Sequence, residues 1–341
     1  MGILKPDTLM PVTNTHTLEL PDSMHTLLPS KVAEYTDKIK EKSAEIYFDD
    51  CQIADAALSG SEHHLDSWLD RGFHADMDWI TRTREQRNDV QKKLPGVQSV
   101  VVVIKNYYSP RPKAPSRSGK ISRYAWGRDY HRSLKKPLIR LAKHIESLEP
   151  GTRTYSSVDT GPVLERTWAQ RAGIAAIGKN SLALRRDIGS WFFIATILTT
   201  LKLKPDSKLP DICGTCTACI DACPTQAIVE PYTVDSNRCI SYQTIENRGK
   251  IPKDLQSLHG DWIYGCDICQ EACPWNRFQT DTTDSDFHPR PGHANPDINT
   301  LKEMDRAEFE SEFEGTPVRR TGHLAIRRNV RIVEENINES T

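Results

Sequence analysis

The segment Cys213-Gly-Thr-Cys216-Thr-Ala-Cys219-Ile-Asp-Ala-Cys223-Pro224 constrains this chain more than any other feature. It sets four cysteines at the C-x2-C-x2-C-x3-C-P spacing of bacterial two-cluster ferredoxins. Two-residue gaps let one turning loop present three thiolates to a single [4Fe-4S] cubane, while a short helix carries the cysteine before proline on to a neighbouring cluster. The later segment Cys266-Asp-Ile-Cys269-Gln-Glu-Ala-Cys273-Pro274 repeats the pattern with one central cysteine missing, and Cys239, in RCISY, is the remaining thiol of the region. The spacing predicts two clusters, one on Cys213, Cys216, Cys219 and Cys273, the other on Cys223, Cys239, Cys266 and Cys269. Four-cysteine zinc sites also use C-x2-C pairs, but they have no need for the crossed C-x3-C-P arrangement. The ninth cysteine, Cys51, lies far from the rest and reads as a small buried hydrophobe.

Paired clusters relay single electrons, and a relay must end at a redox centre. The cysteine module, about 206–285, leaves most of the 341 residues for a domain that holds one. Clustered thiols outside a secreted disulfide scaffold point to metal in a reducing compartment. No apolar run approaches the ~20 residues of a membrane helix, and the N-terminus shows no basic-then-apolar export signal, so a cytoplasmic protein is expected. Residues 1–23, Pro/Thr-rich and without periodicity, are expected to be a disordered extension. The formal net charge of -1 conceals an asymmetry. Ten Lys or Arg lie between Arg111 and Arg140 against one acid, Asp129, and a second basic run holds Arg319, Arg320, Arg327, Arg328 and Arg331.

Local patterns predict an α/β core over 24–205. Ser30 can cap a helix through about Lys42, and AEIYF (44–48) has strand character. Ser61 to Arg71 reads as a helix stopped by Gly72. The β-branched run SVVVVIK (99–105) and the stretch Trp191 to Leu198 have the composition of buried strands. Leu134, Leu138, Leu141, Ile145 and Leu148 recur at steps of four and three, the mark of a helix with one buried face. In SSVDTGPVLERTWAQRAG, Pro162 and Gly173 bracket a helix over about 162–172, with Asp159 just before its start.

Several long segments, in order, resemble the epoxyqueuosine reductases, cobalamin-dependent iron–sulfur enzymes that complete queuosine in transfer RNA. They are RYAWGRDYH (123–131), VDTGPVLER (158–166), AGIAAIGKNSL (172–182), CISY (239–242), YGCDICQEACPWN (264–276) and GTPVRRTGHLAIRRN (315–329), so the resemblance spans about residues 30–331. Some chains of that family continue into a helical-repeat domain beyond the point at which this sequence stops. The resemblance implies an α/β cobalamin-binding domain of nitroreductase-like, CblC-like type (24–205), a ferredoxin-like two-[4Fe-4S] domain (206–285), and a basic C-terminal segment (286–341) that packs on the core and contacts transfer RNA. The implied reaction removes the epoxide oxygen of epoxyqueuosine at the wobble position, with two electrons and two protons, leaving an alkene and water. A flavodoxin or ferredoxin is the implied electron donor, and a monomer is expected. A reductive dehalogenase also joins cobalamin to two clusters, but the basic runs and the missing twin-arginine signal disfavour it; a non-catalytic electron carrier is the other alternative.

The resemblance assigns Asp159 as the acid that protonates the epoxide oxygen. With a reference pKa of about 3.9, a carboxyl donor near neutral pH requires burial to raise it, against the field of a following helix. The alternative is that Asp159 only caps that helix. Arg87, Ser122, Asp159, Ala183, Ile194, Ser241 and Asp267 match positions of the family's cobalamin site. The D-x-H-x-x-G pattern that supplies a histidine to cobalt in other corrinoid proteins is absent, since Asp129-Tyr130-His131 has the wrong spacing, so one cobalt face is expected to stay open to substrate. Tyr130 and His131 are candidates for substrate contact. Tyr107, Tyr108, Tyr124 and Trp126 are expected to stack on unpaired bases, while Arg319, Arg320, Arg327 and Arg328 grip phosphates.

Overall fold

The computed structural model describes residues 27–57 and 62–339, so the expected N-terminal extension lies outside the described residues. At its centre is a four-stranded antiparallel sheet in the order Asp50–Asp55, Ser99–Asn106, Phe192–Thr199, Thr154–Ser157. Successive residues of a strand face opposite sides, so the valine run must be covered twice. Val101 and Val103 pack with Ala195 and Ile197 against the helices Pro29–Ile46 and Tyr130–Leu148. Val100, Val102 and Ile104 face the other way, toward Trp168 and Ala169 of the helix Glu165–Arg171. The Tyr130–Leu148 helix buries Leu134, Leu138, Leu141 and Ile145, as its periodicity predicts.

Three local expectations are corrected. AEIYF is not a strand: the first helix runs on to Ile46, because Ser43 extends the inward face of Tyr35, Thr36 and Ile39, and the edge strand begins at Asp50. Ser30 does not cap that helix, which starts with Pro29 after Leu28. The expected 162–172 helix is shortened to Glu165–Arg171, which leaves Asp159 well clear of the helix start.

The cysteine module carries two short helices, Ala218–Asp221 and Ile268–Glu271, that pack against each other, each leading to a Cys-Pro pair. A third core joins the module to the rest: Ile121 and Trp126 meet Ile263 and Tyr264, then Ile298, Leu301, Phe309, Phe313 and the helix His323–Glu339. The strand Trp262–Tyr264 pairs in parallel with Lys120–Ile121 across this junction. Trp126 is fully buried and donates its indole N–H to the Ile121 carbonyl (2.7 Å), and Tyr107 is buried against Trp191 and Phe193. Tyr124 packs against two of these cores. These rings are structural, which corrects the expectation that they stack on bases.

Candidate active site and cluster loops

Asp159 sits in the loop between the edge strand Thr154–Ser157 and the helix Glu165–Arg171, with a left-handed backbone (φ 59°) rare for a non-glycine residue. The Glu165 carboxyl group holds it there, accepting the Asp159 N–H through both oxygens (2.9 and 3.0 Å) and the Ser157 hydroxyl (2.9 Å). Gly161 lets this loop close tightly, since a Cβ there would lie 2.4 Å from Ser157 Oγ and 2.9 Å from Tyr155 Oη. The side chain of Asp159 makes no capping bond to the helix. Its Oδ2 instead accepts from the Tyr130 hydroxyl (3.0 Å) and lies 3.2 Å from His131 Nε2, while 53% of the side-chain surface stays open. His131 Nδ1 is bound by Asp129 Oδ1 (2.7 Å), and Tyr130 is stacked between His131 and Phe193.

The electrostatics differ from the expectation for a pre-protonated Asp159. Burial pushes its carboxyl up, but hydrogen bonding and charge from His131, with the Tyr130 hydroxyl, outweigh burial and hold it below the usual carboxylate value. Burial likewise opposes charge on His131, yet its contacts with Asp129 and Asp159 raise it to about 9. The carboxyl kept neutral at pH 7 is Glu165, pushed up to about 8 by burial and then by the negative charge of Asp159. Arg87, Arg166 and Arg320 all lie within electrostatic reach of Asp159. Glu165 and Arg166 were not singled out from the sequence. The available signal was their place in VDTGPVLER, where a glutamate shortly after a Gly-Pro turn can fold back on the turn.

The cysteines fall into two neighbourhoods. Cys219 lies within electrostatic range of Cys213, Cys216 and Cys273, and Cys269 within range of Cys223 and Cys239. Cys266 neighbours Cys239 and Cys269. Cys269 also senses Cys219, so the two groups adjoin. No three His, Cys, Asp or Glu side chains among the described residues converge on a point that could hold one metal ion. Cys216 of the first group is exposed, and burial raises Cys213, Cys219 and Cys273 there, as it does Cys239 and Cys266 in the second, above the ordinary thiol value. Cys51 is buried, free and remote from both.

The hairpin segment 176–184 bridges the acid and the cysteines. Arg166 donates to the Ser181 carbonyl, Asn180 Nδ2 to the Cys269 carbonyl (3.4 Å), and Lys179 Nζ to those of Gly214 and Cys216 (2.7 and 2.9 Å). Ala183 and Ile194 share one apolar cluster beside this segment, and Ile194 is the single residue of its strand that is not buried. Ser241 follows Cys239, and its backbone N–H faces that thiol. Ser122 donates to Asp267, which is wholly buried and also accepts from the Arg123 N–H (2.9 Å) and lies 3.4 Å from Arg111 Nη2. Its carboxylate is therefore consumed internally.

The basic runs are largely spoken for. Arg111 and Arg123 turn inward to the buried Asp267, which would be costly to bury without them. Arg328 donates to the carbonyls of Gln243 (2.8 Å), Asn247 (2.8 Å) and Gly249, and burial with the neighbouring Arg248 lowers it to about 10. This corrects the assignment of Arg328 to phosphate. Arg319 pairs with Glu310 and Arg320 with Glu246, both partly exposed. Arg327 is exposed and lines a groove of about 350 Å³ with Lys302, Leu324, Arg328, Arg331 and Glu334. Arg328→Ala is expected to strand three carbonyls at ~1–3 kcal/mol for each that stays dry. It should lower the melting temperature in a calorimetric scan, which Arg327→Ala should leave unchanged.

An antiparallel α/β domain with an acid–imidazole site, packed against a module of eight clustered cysteines, has the build of an iron–sulfur oxidoreductase. The family described as "4Fe-4S double cluster binding domain" matches residues 212–276, and that described as "Epoxyqueuosine reductase QueG, DUF1730" matches 87–160. The chain is 45% identical to the epoxyqueuosine reductase of Synechocystis sp. over 280 residues, 81% of this chain and 96% of that protein. It is 42% identical to that of Escherichia coli K12 over 315 residues, 90% and 83% of the two chains. The chain therefore belongs to the epoxyqueuosine reductase family. A solved epoxyqueuosine reductase in complex with an epoxyqueuosine-modified tRNA-Tyr stem loop superimposes with a TM-score of 0.83 at 29% identity, covering 90% of this chain and 82% of that one. The Bacillus subtilis enzyme, in a structure whose catalytic aspartate loop is swung out of the active site, gives the same TM-score and coverage. Among the described residues no helix is long and apolar enough to cross a membrane.

Proposed function

We propose that this protein reduces epoxyqueuosine to queuosine in transfer RNA, in the cytoplasm, with Asp159 as the acid at the epoxide oxygen. The reaction takes two electrons and two protons, breaks both carbon–oxygen bonds of the epoxide, and releases the oxygen as water. The observation that carries the reading is the half-open Asp159, gripped by Tyr130 and His131 on one side and tied through the 176–184 hairpin to both cysteine groups.

Two [4Fe-4S] clusters suit the two quartets, Cys213, Cys216, Cys219 and Cys273, and Cys223, Cys239, Cys266 and Cys269. The half-buried Ile194 and its cluster neighbour Ala183 offer apolar contact to a macrocycle, with Arg87 and Ser241 as candidates for its amide rim and the Ser122–Asp267 hydrogen bond as a rigid element of the cluster side. Cobalamin is the fitting group, and when bound it supplies a strongly nucleophilic metal that takes single electrons from the clusters. Both ring nitrogens of His131 are engaged by Asp129 and Asp159, which supports an open cobalt face.

At neutral pH the proton resides on His131 and Asp159 is its counter-charge. As negative charge develops on the epoxide oxygen, His131 passes its Nε2 proton to Asp159 Oδ2, and Asp159 delivers a proton to that oxygen. Tyr130 keeps the carboxylate aimed, and Glu165 holds its backbone. Arg320, within reach of Asp159, and exposed Arg319 and Arg327 are the candidates for phosphate contact, so affinity for the stem loop should fall as salt rises. The deciding assay gives anaerobic protein, loaded with iron–sulfur clusters and cobalamin, a stem loop bearing epoxyqueuosine. Mass spectrometry should find the loss of one oxygen; an unchanged RNA mass would overturn the proposal.

A further inference from the structure

Electrons must reach the clusters from outside, and the structure is asymmetric in where they can do so. Cys216 is the exposed thiol, whereas the other seven clustered cysteines are half-buried. Around the Cys216 group lies an unusual surface. Trp275, two residues beyond Cys273, anchors the first loop by donating its indole N–H to the Ile212 carbonyl (2.9 Å). The Arg186 guanidinium lies 5.5 Å from the Trp275 ring centre, and that of Arg277 lies 4.5 Å from the ring centre of Phe278, which is 41% exposed. Each of these arginines rests on an aromatic face without an acid partner among the described ion pairs. Of the acids nearby in sequence, Asp187 pairs with Arg185 (2.7 Å), while Asp211 keeps its charge and accepts from the Cys213 N–H (2.9 Å) and the Tyr232 hydroxyl (3.2 Å). Lys179 adds a third cation, over the Cys213–Cys216 loop.

An exposed Phe278, a half-buried Trp275 and two arginines without an ion-pair partner among the described residues make the composition of a docking hot spot, not of an ordinary solvated face. We propose that the surface centred on Arg186, Trp275, Arg277 and Phe278 docks an acidic one-electron carrier protein against the Cys213–Cys216–Cys219–Cys273 cluster. This deepens the proposed function, because it rests on that cluster's being present. In each encounter the carrier is oxidised by one electron and the cluster reduced by one. The aromatic rings bring the partner close enough for transfer, and the guanidinium groups select for its negative charge.

The test needs no RNA, so its outcome is separable from that of the proposed reaction. Anaerobic stopped-flow would follow bleaching of the cluster absorbance in the loaded protein, with a reduced acidic flavodoxin as donor and dithionite as a small reductant that needs no docking. The Arg186→Glu/Arg277→Glu protein is expected to react with flavodoxin about 10- to 100-fold more slowly at low salt, with the difference shrinking as salt rises. Its dithionite rate should fall far less, since that small anion feels the altered charge but needs no docking, and the difference should vanish at high salt. Run in reverse, with the basic protein ferricytochrome c as electron acceptor from the reduced clusters, the same variant should be faster, a gain that a folding defect would not produce. Should the charge-reversed protein fail to load clusters, Arg186→Gln/Arg277→Gln takes its place, with a smaller loss toward flavodoxin. Equal flavodoxin rates for variant and parent at low salt would overturn the assignment, as would a cytochrome rate that fell in parallel with the flavodoxin rate.

Discussion

Replacing Asp159 with Asn should slow conversion of epoxyqueuosine in the fully loaded protein by about 10²- to 10⁴-fold, the usual worth of a positioned general acid. The substitution is nearly isosteric, and an amide oxygen can still accept the Tyr130 hydroxyl, so cluster and cobalamin absorption and stem-loop affinity should be retained. What is lost is the acceptor that takes the His131 proton and passes it on. The pH profile gives an independent check. His131 titrates at about 9 in the folded protein, above its ordinary value of 6.5. Its stabilising contacts are therefore complete below about 6.5 and disappear as pH rises through about 9. Activity of the parent should fall along the same alkaline limb, and in Asp159→Asn that limb should be absent. An Asp159→Asn protein with parental turnover and both cofactors in place would remove Asp159 from the reaction. Glu165 carries a related prediction. Its folded pKa is raised from 4.5 to about 8, so ionising it costs stability as pH climbs through that window. Glu165→Gln copies the neutral form and should flatten the stability change between those limits in urea titrations, while preserving the loop.

Cys239→Ser should bring the iron content from about eight atoms per chain to about four, because the second cubane loses the one ligand that lies outside both Cys-Pro motifs. The Cys213, Cys216, Cys219 and Cys273 cluster should persist, with the altered electron paramagnetic resonance of a single-cluster protein on reduction. Turnover should fall below detection, since the two adjoining groups can no longer relay electrons as a pair. Binding of the epoxyqueuosine stem loop should be little changed. Cys51→Ser is the control: this thiol is buried in the sheet core, and its loss should leave the iron content at the parental value. A Cys239→Ser protein with full iron content would instead point to a different fourth ligand for the second cluster.

Cysteine spacing, the double-faced valine strand and the leucine stripe of residues 134–148 were legible in the sequence because each encodes its environment locally. The interval between side chains on one strand, helix or turning loop is set by backbone geometry, so it can be read without knowing what packs opposite. The AEIYF segment was misread for the same reason in reverse. Its apolar residues fit both periods over so short a stretch, and only the continued burial of Ser43 beneath the sheet decides for helix.

Asp159 itself stood out, but its charge state did not. That state depends on His131, 28 residues upstream, and on Glu165, which folds back to hold the Asp159 N–H in a left-handed turn. The arginines make the same point. Arg111, Arg123, Arg327 and Arg328 are alike in sequence, yet two neutralise the buried Asp267 and one holds three carbonyls, while Arg327 remains in solvent. Thus the sequence alone determined the buried valine strand, the leucine-striped helix and the spacing of the eight thiols, since these follow from short-range geometry. The tertiary structure decided which site group carries the proton and which cations are free to meet a partner, because solvation and charge pairing depend on neighbours distant along the chain.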